Sequence, residues 1–329
     1  MVFENLNTVI ETDRSAIPAG CLSFTEQALY VAEATETEFN KLFESVGIDE
    51  LAVFESTGTE VVYEGAKLDE FKNKSINFFK GIWAKIKHAY ELITDKFKEM
   101  VYGNKKNFSK VSAADLNKLD PEMTFGKTHH FDFGGSTARE RADKLVKDIK
   151  DTFDLNRTSD EKLEISEFQD KIVSEISGTG KTSIKEAKAE LSKKLIGDEF
   201  EVDLSWVKKN LDLLQVAVFN APTNNIKASF NDEKKLIDNI IKEIKGFKSE
   251  DVNSAKATIG LLKDVESTLH TCMSVEMDAL KRKYSEYRNV FTKIYLATKK
   301  ASKANKVNES VENVVTSQQD LVESCFDWD

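Results

Sequence analysis

The segment 177–182, SGTGKT, is the short motif with the clearest potential for nucleotide chemistry, because it matches the end of a phosphate-binding P-loop. The full motif requires glycine at the position of Glu175, where a carboxylate would instead lie beside the bound phosphates. It also requires an apolar strand before the loop, whereas 168–176 has the pattern of a helix. We therefore predict that Gly178 and Gly180 end one helix and turn the chain into the next, without binding a nucleotide.

His129, His130 and Asp132 come nearest to a cluster of metal ligands by spacing. Adjacent residues rarely point at one ion, and the other two histidines, His88 and His270, are far away in the sequence. The chain also lacks His-Glu-x-x-His and Glu-x-x-His, the helical patterns of zinc and di-iron sites. The sequence therefore predicts a surface histidine pair and no metal site.

The sequence gives equally little support for a set of catalytic residues. The triplet 132–134, Asp-Phe-Gly, occurs in protein kinases, but the His-Arg-Asp loop that accompanies it there is missing. No Gly-x-Ser-x-Gly is present, and Cys272 lies two residues after His270 in a predicted helix, where such residues face different sides. A Cys–His pair between distant segments remains open. We predict no catalytic residue and no cofactor, and expect that the protein is not an enzyme.

The segment 66–101 has the clearest amphipathic pattern in the first half of the chain. Its apolar residues recur every three or four positions, the spacing of one helix face. The predicted apolar interaction face consists of Phe78, Phe79, Ile82, Trp83, Ile86, Tyr90, Ile93 and Phe97. The predicted basic face consists of Lys72, Lys74, Lys80, Lys85 and Lys87.

Three roles fit such a helix. It can pack against its own domain or against another protein subunit, which is the role that we expect. It can lie on an anionic membrane surface, with Trp and Phe towards the lipid and Lys towards the headgroups. It can also pair with the acidic residues that precede it.

Composition favours long helices with few breaks. The chain of 329 residues is 40% hydrophobic and 32% charged, which supports a core beneath a charged surface. It has only 14 Gly and 3 Pro, well below the average usage of about 7% and 5%. Residues 1–70 hold fifteen acidic and three basic residues, a balance of −12, so the remaining chain has +2 of the total −10. This distribution argues against nonspecific binding of nucleic acid by the protein as a whole. No specific nucleic-acid partner is predicted.

The predicted fold is all-α, an elongated helical bundle of long amphipathic helices with a small extended or β-like connector near 60–65. The predicted organisation is an acidic leader with one or two helices at 1–65, the cationic helix at 66–102, a linker at 103–136 and a helical-bundle domain at 137–329. Helices are predicted at 137–153, 159–177, 182–196, 203–220, 231–247, 251–302 and 306–326. Asp203 and Asn231 are predicted N-caps, and Pro222 is predicted to break the chain between two helices.

The helix at 251–302 has the longest apolar stripe. Its members are Leu262, Val265, Leu269, Met273, Met277, Leu280, Tyr284, Tyr287, Phe291 and Ile294. A helix of this kind cannot bury its stripe alone and needs neighbouring helices or partner subunits.

Cysteine usage and the N-terminus indicate where the protein folds. Cys21, Cys272 and Cys325 are odd in number and widely spaced, which predicts reduced thiols in a reducing compartment. The N-terminal residues lack the pattern of a secretory signal, and no run of about 18 apolar residues occurs.

Two segments together resemble the opening of uncharacterised virion structural proteins, including internal head proteins, of large tailed bacteriophages. These segments are 62–68, VYEGAKL, and 78–87, which begins Phe78-Phe79 and contains Trp83-Ala84-Lys85; the acidic leader precedes them. The resemblance covers residues 30–100, and the remaining chain adds a general helical likeness.

This resemblance implies a structural or assembly protein of the phage particle that acts through helix packing and oligomerisation. Its partners would be other virion subunits or further copies of itself, and it would be made in the cytoplasm of the host bacterium. It also implies possible trimming of the leader after a glutamate such as Glu36 or Glu44. The alternative is a membrane-active helical protein, a pore-former or an ejection factor, that uses the helix at 71–93.

Overall fold

A computed structural model describes residues 65–108, 111–130, 137–154, 161–219, 221–248 and 252–324. Helices account for 83% of the described residues, which confirms the all-α prediction. In chain order the elements are α1 (Gly65–Phe108), α2 (Ala113–Leu116), β1 (Thr124–His129), α3 (Ala138–Phe153), α4 (Glu161–Ser177), α5 (Ile184–Ile196), β2 (Glu199–Asp203), α6 (Leu204–Phe219), α7 (Ala221–Gly246) and α8 (Val252–Ser324).

The chain divides into two compact units, and each unit combines three stretches that are separated in the sequence. Unit 1 is formed from the described parts of Met1–Glu91, Gly135–Leu195 and Ala228–Asp278. Unit 2 is formed from those of Leu92–Gly134, Ile196–Lys227 and Ala279–Asp329. The four consecutive segments predicted from the sequence do not coincide with these units, because α1, α7 and α8 each contribute residues to both.

The amphipathic segment predicted at 66–101 is helical, and α1 extends it to Phe108. Proline is absent from this stretch, so no backbone N–H is missing from the helix. The acidic leader and most of the β-like segment 60–65 lie outside the described residues; Gly65 is the first residue of α1.

The helix α8 is one element of 73 residues, about 110 Å long at 1.5 Å per residue. The separate helices predicted at 251–302 and 306–326 were therefore wrong. Lys303, Ala304 and Asn305 are neither glycine nor proline, and all three can adopt helical backbone angles. The backbone therefore stays helical through 303–305.

The turn after α4 is the helix end that the sequence predicts. Gly178 has a φ of +63° and Gly180 a φ of +71°. The backbone N–H of Gly178 donates to the carbonyl oxygen of Ser174 at 3.1 Å. The guanidinium of Arg141 donates to the carbonyl oxygen of Ile176 at 2.6 Å. Two helix carbonyls therefore receive donors here, and the preceding element is a helix where a P-loop requires a strand.

The sheet in unit 2 is the main difference from the predicted elements. The strand β1 pairs antiparallel with β2, with Thr128 opposite Phe200 and His129 opposite Glu199. Residues 103–136 were predicted to be a linker, and no strand was predicted before the helix at 203–220. The partner strand of β1 lies about 70 residues further along the chain, so no local pattern reveals the pairing.

The ends of α6 and α7 test the two predicted caps. The side chain of Asp203 accepts from the backbone N–H of Trp206 at 2.6 Å, which confirms Asp203 as the cap of α6. Asn231 lies inside α7, so its predicted role as an N-cap was wrong. Pro222 is the second residue of α7, where a helix tolerates proline because its first N–H groups have no partner within the helix.

Candidate functional site

The predicted apolar interaction face of α1 forms part of the core of unit 1. Phe79, Ile82 and Ile86 have no exposed surface, and Phe78 is 7% exposed. Tyr90 is also buried.

Aromatic contacts join this face to α7. The ring of Trp83, which is half-buried, lies 4.7 Å from that of Phe230. The ring of Tyr90 lies 5.2 Å from Phe230 on a second side. The side chains of Ile93 and Phe97 lie outside the described ones.

The predicted basic face of α1 differs in exposure from residue to residue. Lys80 and Lys87 are exposed, and Lys85 is half-buried. Lys72 donates to the carbonyl oxygen of Phe247 at 2.6 Å, near the end of α7. Lys74 and Lys87 pair with acidic residues on the same helix, Glu70 at 2.9 Å and Glu91 at 3.8 Å respectively.

Four ionisable side chains on three helices meet inside unit 1, and we name them the buried polar cluster. Its members are Tyr90 on α1, Glu233 on α7, and Glu266 and His270 on α8. Glu266 and His270 are four residues apart and therefore share one helix face. Glu233 is 1% exposed, Glu266 2% and His270 7%, so water contributes little to solvating their charges.

Hydrogen bonds within the cluster converge on Glu233. Its Oε1 is hydrogen-bonded to the Nδ1 of His270. Besides burial, the Glu233 carboxylate raises the pKa of the Tyr90 hydroxyl. The backbone carbonyl oxygen of His270 accepts from the Ser274 hydroxyl at 2.8 Å, so that group does not depend on the cluster.

Burial and mutual charge determine the protonation of the cluster. Burial raises the pKa of Glu266 to about 8; nearby His270 opposes that rise and Glu233 adds to it. Burial lowers the pKa of His270, but the charge and hydrogen bond of Glu233 outweigh it, so the net pKa is raised. Burial and Glu233 also raise the pKa of Tyr90. The raised pKa values of Glu266 and Tyr90 favour their neutral forms, and the raised pKa of His270 favours its cationic form beside Glu233.

Sequence patterns did not point to this cluster. The spacing Glu266-x-x-x-His270 differs from the metal-binding patterns, and Glu233 is 37 residues away from His270. Within the described residues, no group of three or more His, Cys, Asp or Glu side chains is arranged to hold a metal ion. Cys272 is buried, and burial, with a contribution from Glu276, raises the pKa of its thiol to about 12. A thiol with that pKa is not ionised at neutral pH.

The predicted histidine pair lies at the end of β1, where neighbouring side chains point to opposite faces. His129 is buried, and its Nδ1 lies 2.8 Å from the Oε2 of Glu286 on α8. His130 is exposed, and its ring stacks on Phe200 of β2 at 4.5 Å. The prediction that both histidines lie on the surface is therefore correct for His130 alone. Asp132, the third residue of that predicted group, lies outside the described residues.

Glu286 is the polar anchor of the two-stranded sheet in unit 2. Besides the His129 ring, it accepts from the backbone N–H of His129 at 3.3 Å and from the Thr128 hydroxyl at 3.4 Å. The Nε of Arg282 donates to its other oxygen at 3.1 Å. Burial raises the pKa of Glu286, but the hydrogen bonds from His129 and Arg282 outweigh burial, and the net pKa is lowered.

An exposed apolar pair lies on α6 in unit 2, and we name it the Leu213–Val216 pair. Leu213 is 46% exposed and Val216 is 52% exposed, whereas Leu214 and Ala217 beside them are buried. The pair follows Asn210, whose non-helical backbone (φ −122°, ψ 21°) kinks α6. Residues three apart form one ridge on a helix, so these two side chains present a continuous apolar surface to solvent.

Comparison with protein families, with characterised proteins and with solved structures gives no significant match. Among the described residues, no helix is long and apolar enough to cross a membrane.

Replacing Glu286 by glutamine tests its anchoring role. We expect Glu286→Gln to lower the free energy of unfolding by about 1–3 kcal/mol at pH 7, because a charged acceptor of several hydrogen bonds is lost. Its lowered pKa means that the wild-type contribution exists above the unfolded pKa and disappears as the pH falls through the folded pKa. Urea unfolding followed by circular dichroism at pH 7 and pH 3.5 measures both effects.

A matched control for this variant is Glu199→Gln on β2, a strand of the sheet that Glu286 anchors. Glu199 pairs with Lys127 at 3.5 Å on the surface, where its side chain is 50% exposed. An exposed pair contributes about 0–1 kcal/mol, so this change should be nearly neutral. Equal effects of the two variants would contradict the assignment of Glu286 as the anchor.

Proposed function

We propose that this protein is a non-enzymatic virion structural or assembly protein of a large tailed bacteriophage, and that it acts through helix packing and self-association. The likeness of residues 30–100 to such proteins supports the class, and it implies synthesis in the host cytoplasm followed by incorporation into the particle. Glu36 and Glu44, where the leader would be trimmed, lie outside the described residues.

The observation that supports self-association best is the Leu213–Val216 pair. Exposed apolar ridges on helices are common contact surfaces between subunits, because covering them removes apolar area from water. Two copies related by a two-fold axis would place the same ridge opposite itself, so one surface serves both partners. We therefore propose a second copy of this chain as the occupant of this surface.

The size of this surface limits the strength of the proposed contact. A stable specific interface buries about 800 Å² on each partner, far more than two partly exposed side chains provide. Self-association through this surface should therefore be weak in dilute solution, with dissociation constants in the micromolar range or above. High local concentration, as in an assembling particle, would favour it.

Light scattering coupled to size-exclusion chromatography tests this contact. We expect the mass of the wild-type chain to rise with concentration from about 5 to 200 μM, a range that brackets the expected dissociation constant. The double variant Leu213→Lys/Val216→Lys should remain monomeric, because two ammonium groups repel each other across the proposed axis. Wild-type chain that remains monomeric throughout would contradict the proposal.

The control for this experiment is Ile184→Lys, which places one charge on α5 in unit 1, where Ile184 is 39% exposed. This variant should associate like the wild type. If both variants abolish association equally, the effect is one of added charge in general, and the Leu213–Val216 pair is not the contact.

Mass spectrometry of purified phage particles tests the virion assignment. We expect peptides from residues 65–324 to follow the capsid through a density gradient at a constant ratio. If the leader is trimmed, its most N-terminal peptide should begin directly after a glutamate. Abundant chain in the infected lysate, with none in the particle band, would contradict the assignment.

Membrane contact by residues 71–93 is the second candidate, and the exposure of Lys80 and Lys87 favours it. The burial of Phe79, Ile82 and Ile86 disfavours it, because α1 would have to leave the core of unit 1 before this face could meet lipid.

Flotation with vesicles of phosphatidylglycerol and phosphatidylcholine separates the two candidates. We expect no flotation of the wild type. Flotation that is lost in Lys80→Glu/Lys87→Glu would support membrane contact, and this variant leaves the core unchanged. The double variant Phe79→Glu/Trp83→Glu is less informative, because it places a charge where Phe79 is fully buried.

A further inference from the structure

Unit 1 contains a set of buried ionisable groups that neither the proposed self-association nor the proposed class of protein requires. The buried polar cluster links three helices within that unit: Tyr90 belongs to α1, Glu233 to α7, and Glu266 with His270 to α8. Its surroundings include Leu236 and Ile237 on α7, and Leu269 and Met273 on α8, all of which are buried. An apolar core of this kind does not need such groups for stability, since hydrophobic replacements are often at least as stable.

We propose that the buried polar cluster is a pH-responsive junction, which holds α1, α7 and α8 of unit 1 together most firmly in mildly acidic solution and loosens progressively as the pH rises to mildly alkaline values. The junction depends on protons held between the helices. One proton lies on the His270 imidazole, between α8 and α7, and the other lies on the Glu266 carboxyl group.

Hydrogen bonding inside the cluster shows why these protons matter. Glu233 Oε2, Glu266 Oε1 and His270 Nε2 are buried atoms without a hydrogen-bond partner among the described residues. A second carboxylate at Glu266 would add an uncompensated negative charge close to Glu233. Removing the imidazolium proton would leave the Glu233 carboxylate without its positive partner. Both losses weaken the same junction.

Other charged groups near the cluster act in both directions: acidic groups act on Tyr90, and basic groups act on Cys272. Asp232 on α7 and Glu276 on α8 add negative potential at Tyr90. Arg141 on α3 and Lys188 on α5 act on Cys272, two residues beyond His270. The negative groups around Tyr90 make a further negative charge in the cluster costly, so its protonated form is favoured when unit 1 is folded.

The direction of the pH response follows from linkage. The pKa of Glu266 rises from 4.5 to about 8 on folding, so between those values the folded state binds a proton that the unfolded state lacks. Stability therefore falls as the pH rises through this interval and is level above it. The raised pKa of His270 gives stability below its unfolded value of 6.5, which is lost as the pH rises through the folded pKa. Glu286 in unit 2 responds in the opposite direction.

Hydrogen exchange of the full chain, read by mass spectrometry at pH 6, 7 and 8, tests this proposal. After correction for the intrinsic pH dependence of exchange, we expect protection of 229–245 and 258–275 to fall by up to about tenfold per pH unit, the effect of one linked proton. Protection of β1 and β2 in unit 2 should not fall in this way. Equal pH dependence in all these segments, or none in unit 1, would overturn the proposal.

The variant Glu266→Gln keeps the size of the side chain and removes its titration. It should reduce the pH dependence in unit 1 and raise protection at pH 8 relative to the wild type. The control Glu243→Gln, at a half-buried position of the same helix as Glu233, should keep the wild-type dependence, since Glu243 pairs with Lys150 at 3.3 Å outside the cluster. If Glu266→Gln folds and keeps the full wild-type dependence, Glu266 is not the responsible group and the proposal fails. If Glu266→Gln does not fold, the pH dependence of exchange in the wild-type chain still tests the proposal by itself.

Discussion

Burial of the apolar stripe along α8 is the constraint on which the described structure depends. Stripe residues up to Met277 belong to the core of unit 1, and those from Leu280 onward belong to the core of unit 2. Each fully buried side chain of this kind contributes about 1.5–3 kcal/mol relative to exposure. The other elements of each unit supply the covering surface, as α7 does in unit 1 and the two-stranded sheet of β1 and β2 does in unit 2.

Polar groups inside both units follow from that packing. A long helix that is buried on one face brings its own polar residues close to those of its neighbours, and these must find partners or change protonation. His270 meets Glu233 in unit 1, and Glu286 meets His129 in unit 2. The surroundings make the two sites respond differently to pH. Glu286 is partly exposed and accepts several donors, which favours its charge, whereas Glu266 is fully enclosed near another carboxylate, which disfavours it.

Short motifs that suggest chemistry have structural explanations here. The SGTGKT segment follows a helix and ends it, and the donors to its neighbouring carbonyls include Arg141. The histidine pair is divided between a buried anchor and an exposed stacked ring. Cys272 and His270 are close in sequence, but the partner of His270 is a carboxylate on another helix. In each case the residues around the motif determine its structural role, and the residue types within the motif do not.

The sequence by itself determined the helical class, the start of α1 and the buried apolar residues of its first half, the stripe of α8, the cap at Asp203 and the turn at Gly178. These features depend on local backbone preference and on a spacing of three to four residues, which any short window contains. Only the tertiary structure decided that β1 and β2 pair, that Glu233 joins Glu266 and His270, and that the chain divides into two units of interleaved segments. Those features depend on contacts between residues tens of positions apart, where burial and charge, and not periodicity, select the partner.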